Sequence, residues 1–214
     1  MLKLLIALCL VLFMSSAFAA DEETAGGGME GPGVFVQLAG QHVVGVEKIS
    51  GVQAYVESPV LWKSVDGNQS VSVFSLGFVG NDESKFHELQ IGPVWKIGNL
   101  QIGLGVGKAI YDKVSHVVTS PFVYYASDKF EALGTIEHYS HEPDPSARIF
   151  YKGFAQYKAA EHVAVGAHIE QGIGFGPRVS YKVAEGLSIW GSIPVVHRAE
   201  GAKFVLGFVF EHSF

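Results

Sequence analysis

Residues 203–214 read KFVLGFVFEHSF. Taken alternately, one face of this stretch carries Phe204, Leu206, Phe208, Phe210, His212 and Phe214. The other carries Lys203, Val205, Gly207, Val209, Glu211 and Ser213. A period of two with one apolar and one small or polar face predicts a β-strand. The apolar face is also the bulkier and more aromatic one. A strand with lipid on its outer side and a polar lumen on its inner side carries this pattern.

Working back from that stretch, the same alternation recurs in short runs separated by turn signals. Strands are expected near 33–43, 50–63 (broken by Pro59), 69–80, 86–97, 100–108, 116–126, 130–140, 148–158, 163–172, 178–183 and 187–196, with 203–214 closing the set. Within 100–108, Ile102, Leu104 and Val106 alternate with Gly103, Gly105 and Gly107. Within 178–183, Arg178, Ser180 and Lys182 share one face against Val179 and Tyr181. The connections also alternate. KIGNLQ, ASDKFE, KAAEHV and KVAEGLS are short, whereas NDESK, AIYDKVS, HYSHEPDPSA, EQGIGFGP and HRAEGA are longer and richer in Gly, Pro, His or charge. This predicts an all-β chain: a closed antiparallel transmembrane β-barrel of about 12 strands, with ten as the nearest alternative because the Pro59 region divides ambiguously. A soluble lipocalin-like barrel is the competing architecture, but its Gly-x-Trp signature is missing: Trp62 follows Val60 and Leu61.

The start of the chain fits export. Lys3 precedes LLIALCLVLF and then MSSAFAA, a basic, apolar and small-residue succession that predicts a signal peptide over 1–19. Residues 20–32, acidic and Gly-rich, are expected to form a disordered periplasmic lead-in, and 33–214 the barrel domain. The single Cys, Cys9, falls within the signal peptide, so stability must come from backbone ladders rather than disulfides. The chain is 48% hydrophobic with 26 Gly, 15 Phe, 8 Tyr and 3 Trp. That apolar content is dispersed over short runs rather than gathered into a spanning helix. A formal charge of −6 argues against nucleic acid, for which a basic stripe would be expected.

The terminal stretch resembles the C-terminal insertion signal of bacterial outer-membrane β-barrel proteins, with Phe208, Phe210 and Phe214 as the signal residues. His212 stands where that family usually carries Tyr. The resemblance implies contact with outer-membrane lipid and lipopolysaccharide, and delivery by the barrel-assembly machinery. It implies no activity.

Three kinds of function are open to such a chain. The first is a narrow channel or a non-enzymatic surface barrel. Its inward-facing charges are expected to be Lys96, Arg148, Lys152, Lys158, Glu170, Arg178, Lys182, Lys203 and Glu211. That basic excess would favour anionic solutes in an open lumen, or become a salt-bridge plug in a filled one. The second is an enzyme. His138 and Ser140 lie two apart, as a base and a nucleophile on one strand face would. The stretch His138-Tyr139-Ser140 is similar to the His-x-Ser motif of the lipid A 3-O-deacylase barrels, which implies an esterase. The chain departs from that family at His141 and Glu142, and at Tyr151 and Lys152 on the next strand. The third is a structural or adhesive barrel acting through extracellular loops near 140–147 and 174–178. No metal site is expected, since His138, His141, Glu142 and Asp144 match no closed ligand set. No cofactor is expected either, because no helix follows the glycines of 172–176. Trp62, Trp95, Trp190, Tyr111, Tyr124, Tyr125 and Tyr181 are candidates for interfacial girdles.

Overall fold

The structure is a computed structural model, and it describes residues 34–45, 50–80, 86–111, 113–140, 148–196 and 203–213. The signal peptide, the lead-in, Phe214, the side chain of Tyr111 and the 141–147 segment with His141, Glu142 and Asp144 lie outside the described residues.

Strand follows strand throughout: β1 (Phe35–Val44), β2 (Ser50–Glu57), β3 (Trp62–Lys63), β4 (Gln69–Gly80), β5 (His87–Ile97), β6 (Leu100–Tyr111), β7 (Val114–Ala126), β8 (Phe130–Tyr139), β9 (Ile149–Ala160), β10 (Val163–Glu170), β11 (Gly174–Ala184), β12 (Leu187–Ser192) and β13 (Phe204–Ser213). Sequential neighbours other than β2 and β3 pair antiparallel, and two pairings finish the ring. β1 pairs with β13, from Phe35 opposite Ser213 to Val44 opposite Phe204. β2 pairs directly with β4. The two-residue β3 sits outside the ring as an appendage of β4, leaving a closed barrel of twelve strands. Closure is what removes unpaired edges.

Proline explains the broken second strand. Pro59 has no amide hydrogen to donate, so the ladder stops at Glu57 and re-forms for only Trp62 and Lys63. Two expected loops are wall instead. In AIYDKVS, Tyr111 pairs directly with Val114, so β6 and β7 run on to a tight reversal with Lys113 at φ 70°. In EQGIGFGP the turn is confined to 171–173, and β11 already begins at Gly174. There Gly172 and Gly174, at φ 78° and 124°, adopt the left-handed backbone that other residues resist. β12 ends at Ser192, short of the expected 196, although Val196 still bridges to Phe175.

The short turns form one rim and bond to one another around it. Gly98 N donates to Asn68 O, Ala126 N to Asn99 O, Lys158 N to Lys129 O, Lys182 N to His162 O and Glu211 N to Gly186 O. Both ends of the barrel, Phe35 and Ser213, sit at this rim. On the 64–68 turn, the Ser64 hydroxyl and Asn68 groups donate to Asp66, which lowers the pKa of that carboxyl and keeps it charged.

The faces are inverted relative to a water-soluble barrel. Leu89, Ile91, Trp95, Ile102, Leu104, Val106, Val123, Ile136, Val179, Ile189 and Leu206 all point outward and are 44–63% exposed. Glu88, Gln90, Ser120, Glu137, Gln156, His168, Glu170 and Arg178 are buried. Near the short-turn rim the outward residues turn aromatic: Trp62, Trp95, Tyr125, Phe130, Tyr157, Tyr181 and Phe210. An aromatic belt at this height is the arrangement that interfacial girdles take in spanning barrels. Two expected girdle residues point inward instead. Trp190 is 8% exposed and stacks on Arg178, and Tyr124 bonds to Glu131.

Candidate functional site: the polar lumen

Alternation along each strand decides what faces the lumen, and closure then brings residues of distant strands together. The widest crossing is made by Lys152 on β9. Its ammonium donates to Gln53 Oε1 on β2 at 3.0 Å and lies 6.0 Å from the centre of the Phe78 ring. β4 to β8 lie between those two strands on one side, and β10 to β13 with β1 on the other. The pair therefore spans the lumen along a diameter.

Beside it, the Tyr139 hydroxyl on β8 lies 2.9 Å from Glu88 Oε2 on β5 and 2.6 Å from Glu137 Oε2 on its own strand. Gln90 donates to the other Glu88 oxygen, and Ser120 donates to Gln90. The inner face of β6 opposite them is Gly103, Gly105 and Gly107 followed by Ala109. A Cβ at Gly105 would collide with the Gln90 amide, so the bare face makes room for this network.

Toward the short-turn rim, Lys96 pairs with Glu57 at 2.7 Å, and Ser72 donates to the same carboxylate. Glu131 accepts from Tyr124 at 3.1 Å and from Gln156 at 2.8 Å. Glu211 accepts from Gln37 at 2.7 Å. On the far wall the Arg178 guanidinium is held between Phe154 and Trp190, 4.2 Å from each ring, with Nε donating to Ser180 at 3.3 Å. A cation sandwiched this way, away from bulk water, gains ~2 kcal/mol or more from the rings. Glu170 accepts from Gln41 at 2.8 Å and faces His168 Nε2 at 3.4 Å. Phe74, stacked on Tyr55 and edge-on to Phe122, fills one side of the lumen. Ile173 from the 171–173 turn packs inward with Val43, Trp190 and Val205.

The expected lumen charges thus divide. Lys96, Lys152, Glu170, Arg178 and Glu211 make the contacts just described. Arg148, Lys158, Lys182 and Lys203 lie at strand ends and are exposed. Sequence reasoning missed Glu57, Glu88, Glu131 and Glu137. The signal was available in their parity with neighbouring outward residues, as for Glu88 beside Leu89. Among the described residues the expected basic excess is therefore reversed for the buried and half-buried charges, where Glu57, Glu88, Glu131, Glu137, Glu170 and Glu211 face only Lys96, Lys152 and Arg178.

His138 and Ser140 do not form a dyad. His138 is exposed on the outer face of β8, while Ser140 lies past the strand end. The Ser140 hydroxyl accepts from Val117 N at 3.1 Å, and Ser140 N donates back to Val117 O at 2.9 Å. This is a loop tie rather than a nucleophile with its base. The lipid A of cells expressing the protein is accordingly expected to keep its acyl pattern with either Ser140 or Ser140→Ala, read by mass spectrometry. Residues 174–178 belong to β11, so they are wall and not an adhesive loop. Phe208 and Phe210 both face outward at 40% exposure, and the ring of Phe208 covers Gly40 of β1 across the closing seam.

Comparison with known proteins agrees at the level of architecture. No protein-family model matches the chain, and no curated protein sequence matches it. Among solved structures, an outer membrane channel from Pseudomonas putida F1 superposes with a TM-score of 0.52 at 11% identity, covering 90% of this chain and all of that one. A membrane protein crystallised in meso superposes with a TM-score of 0.50 at 11% identity, covering 85% and 84% of the two chains. A Rh. blastica porin variant is more distant, with a TM-score of 0.32 at 9% identity over 84% of this chain and 99% of that one. The chain has the fold of outer-membrane β-barrels.

Proposed function

We propose that this barrel resides in an outer membrane and works as a narrow, cation-preferring channel whose conduction is limited by side chains that span its lumen. The observation that carries the reading is the excess of carboxylates over bases among the buried and half-buried charges of a closed polar interior. Fixed charge of one sign lowers the entry barrier for the opposite sign and raises it for its own. The apolar exterior and its aromatic girdle support the membrane setting, and the likeness in fold to an outer membrane channel supports the transport class. In this reading the terminal strand with Phe208, Phe210 and Phe214 addresses the chain to the barrel-assembly machinery. The exposed wall then meets lipid and lipopolysaccharide.

Reconstitution in a planar bilayer under a KCl gradient tests it. The reversal potential is expected to carry the sign of potassium selectivity, and Glu211→Gln near the short-turn mouth is expected to reduce it. A potential of chloride sign would refute the selectivity. Absence of any conductance would refute the channel.

A further inference from the structure

The Tyr139 hydroxyl touches two carboxylates and owns one proton. An ionised carboxylate can only accept, and a phenol donates once and accepts through its remaining lone pairs. With Glu88 and Glu137 both ionised, one of the two contacts, at 2.9 and 2.6 Å, would set oxygen against oxygen with no hydrogen between. Placing one further proton on either carboxyl repairs the chain. That acid donates to the phenol oxygen, and the phenol donates to the other carboxylate. Like charges confined to one site favour the same arrangement.

We propose that Glu88, Tyr139 and Glu137 hold one shared proton and act as a pH-operated latch across the lumen. The inference rests on the channel reading and assigns that channel its regulation. Glu88 stands on β5, whereas Tyr139 and Glu137 stand on β8, with β6 and β7 between them in the wall. The protonated chain therefore ties one side of the lumen to another. Loss of the proton leaves two carboxylates competing for one donor, and the tie parts.

The surroundings leave few other titrating groups among the described residues. β5 adds Gln90, β6 offers only glycines and Ala109, and β4 presents Leu76 and Phe78. β7 carries Ser120 and the buried His116, whose Nδ1 meets Ser140 O at 3.1 Å. β9 brings Lys152, with its bond directed to Gln53 on β2, and is preceded by Arg148, whose carbonyl accepts from Tyr139 N at 2.8 Å.

Conductance recorded from about pH 5 to about pH 9, a window that starts just above the ordinary carboxylate range and runs through the imidazole and thiol ranges, is expected to rise severalfold through one single-proton step. In Tyr139→Phe the bridging oxygen is gone, so conductance is expected to be high and flat with pH. In Glu137→Gln the amide can donate to the phenol without a titratable proton, so conductance is expected to be low and flat. Folding of each variant is checked by heat-modified gel mobility. Infrared difference spectra of wild type against Glu137→Gln in detergent at neutral pH are expected to show the carbonyl stretch of a protonated carboxyl in the wild type. A wild-type barrel with pH-independent conductance, or variants that keep its pH step, overturns the latch and leaves the channel standing. A barrel silent at every pH overturns the channel reading, and the infrared difference then decides the shared proton, its absence overturning that as well.

Discussion

Lys152→Ala is expected to raise single-channel conductance and to sharpen cation preference. The Lys152 ammonium sits on a lumen diameter, tied to Gln53 at 3.0 Å, so its removal both widens the passage and deletes a fixed positive charge from the permeation path. At about 6 Å, and an effective dielectric constant of about 20, two unit charges interact by roughly 3 kcal/mol. Neighbouring Glu88 offsets part of that for a passing cation. A net barrier reduction of about 1.4 kcal/mol already gives a tenfold rate, so the increase is expected to fall between severalfold and tenfold. Recordings at the pH of maximal conductance separate this effect from the Glu88–Tyr139–Glu137 chain. Conductance and reversal potential both equal to wild type would place the limiting constriction elsewhere.

The second large effect is on stability and reports what bathes the wall. Leu104 lies mid-strand on β6, faces outward and is 47% exposed, with Ile102 and Val106 on the same face. If hydrocarbon surrounds that face, Leu104→Arg is expected to destabilise the barrel in lipid vesicles by about 2–4 kcal/mol, whereas Ile110→Arg, one residue from the strand end, costs only about 0–1 kcal/mol. Denaturant unfolding of the two variants gives the comparison. The dependence on depth is the diagnostic, because an arginine on a water-facing wall costs little at either position. Equal and small effects would remove the membrane setting.

Much of this could be read along the chain. Alternation is local: side chains two apart share a face, so the parity of Phe204, Leu206, Phe208 and Phe210 assigns the outer wall before any contact is known. The same parity rule placed Arg178 and Ser180 inward against Val179 and Tyr181, and the short turns around Gly98 and Gly186 marked one rim. Strand ends were less legible. Whether Tyr111 pairs with Val114 or begins a loop depends on hydrogen bonds to a neighbour that local composition does not specify.

What only the tertiary structure decided is who meets whom inside. Lys152 and Gln53 are far apart in sequence and join because the ring closes through β1 with β13 and β2 with β4, whereas Glu88 and Tyr139 meet because the wall curves from β5 to β8. The His138–Ser140 spacing looked like chemistry, yet the strand ends before Ser140 and turns His138 outward. Hydropathy along one strand fixes which side of the wall a residue occupies. The balance of lumen charge, and the cross-lumen bonds, are properties of the closed circle, because they depend on radius and register that all twelve strands set together.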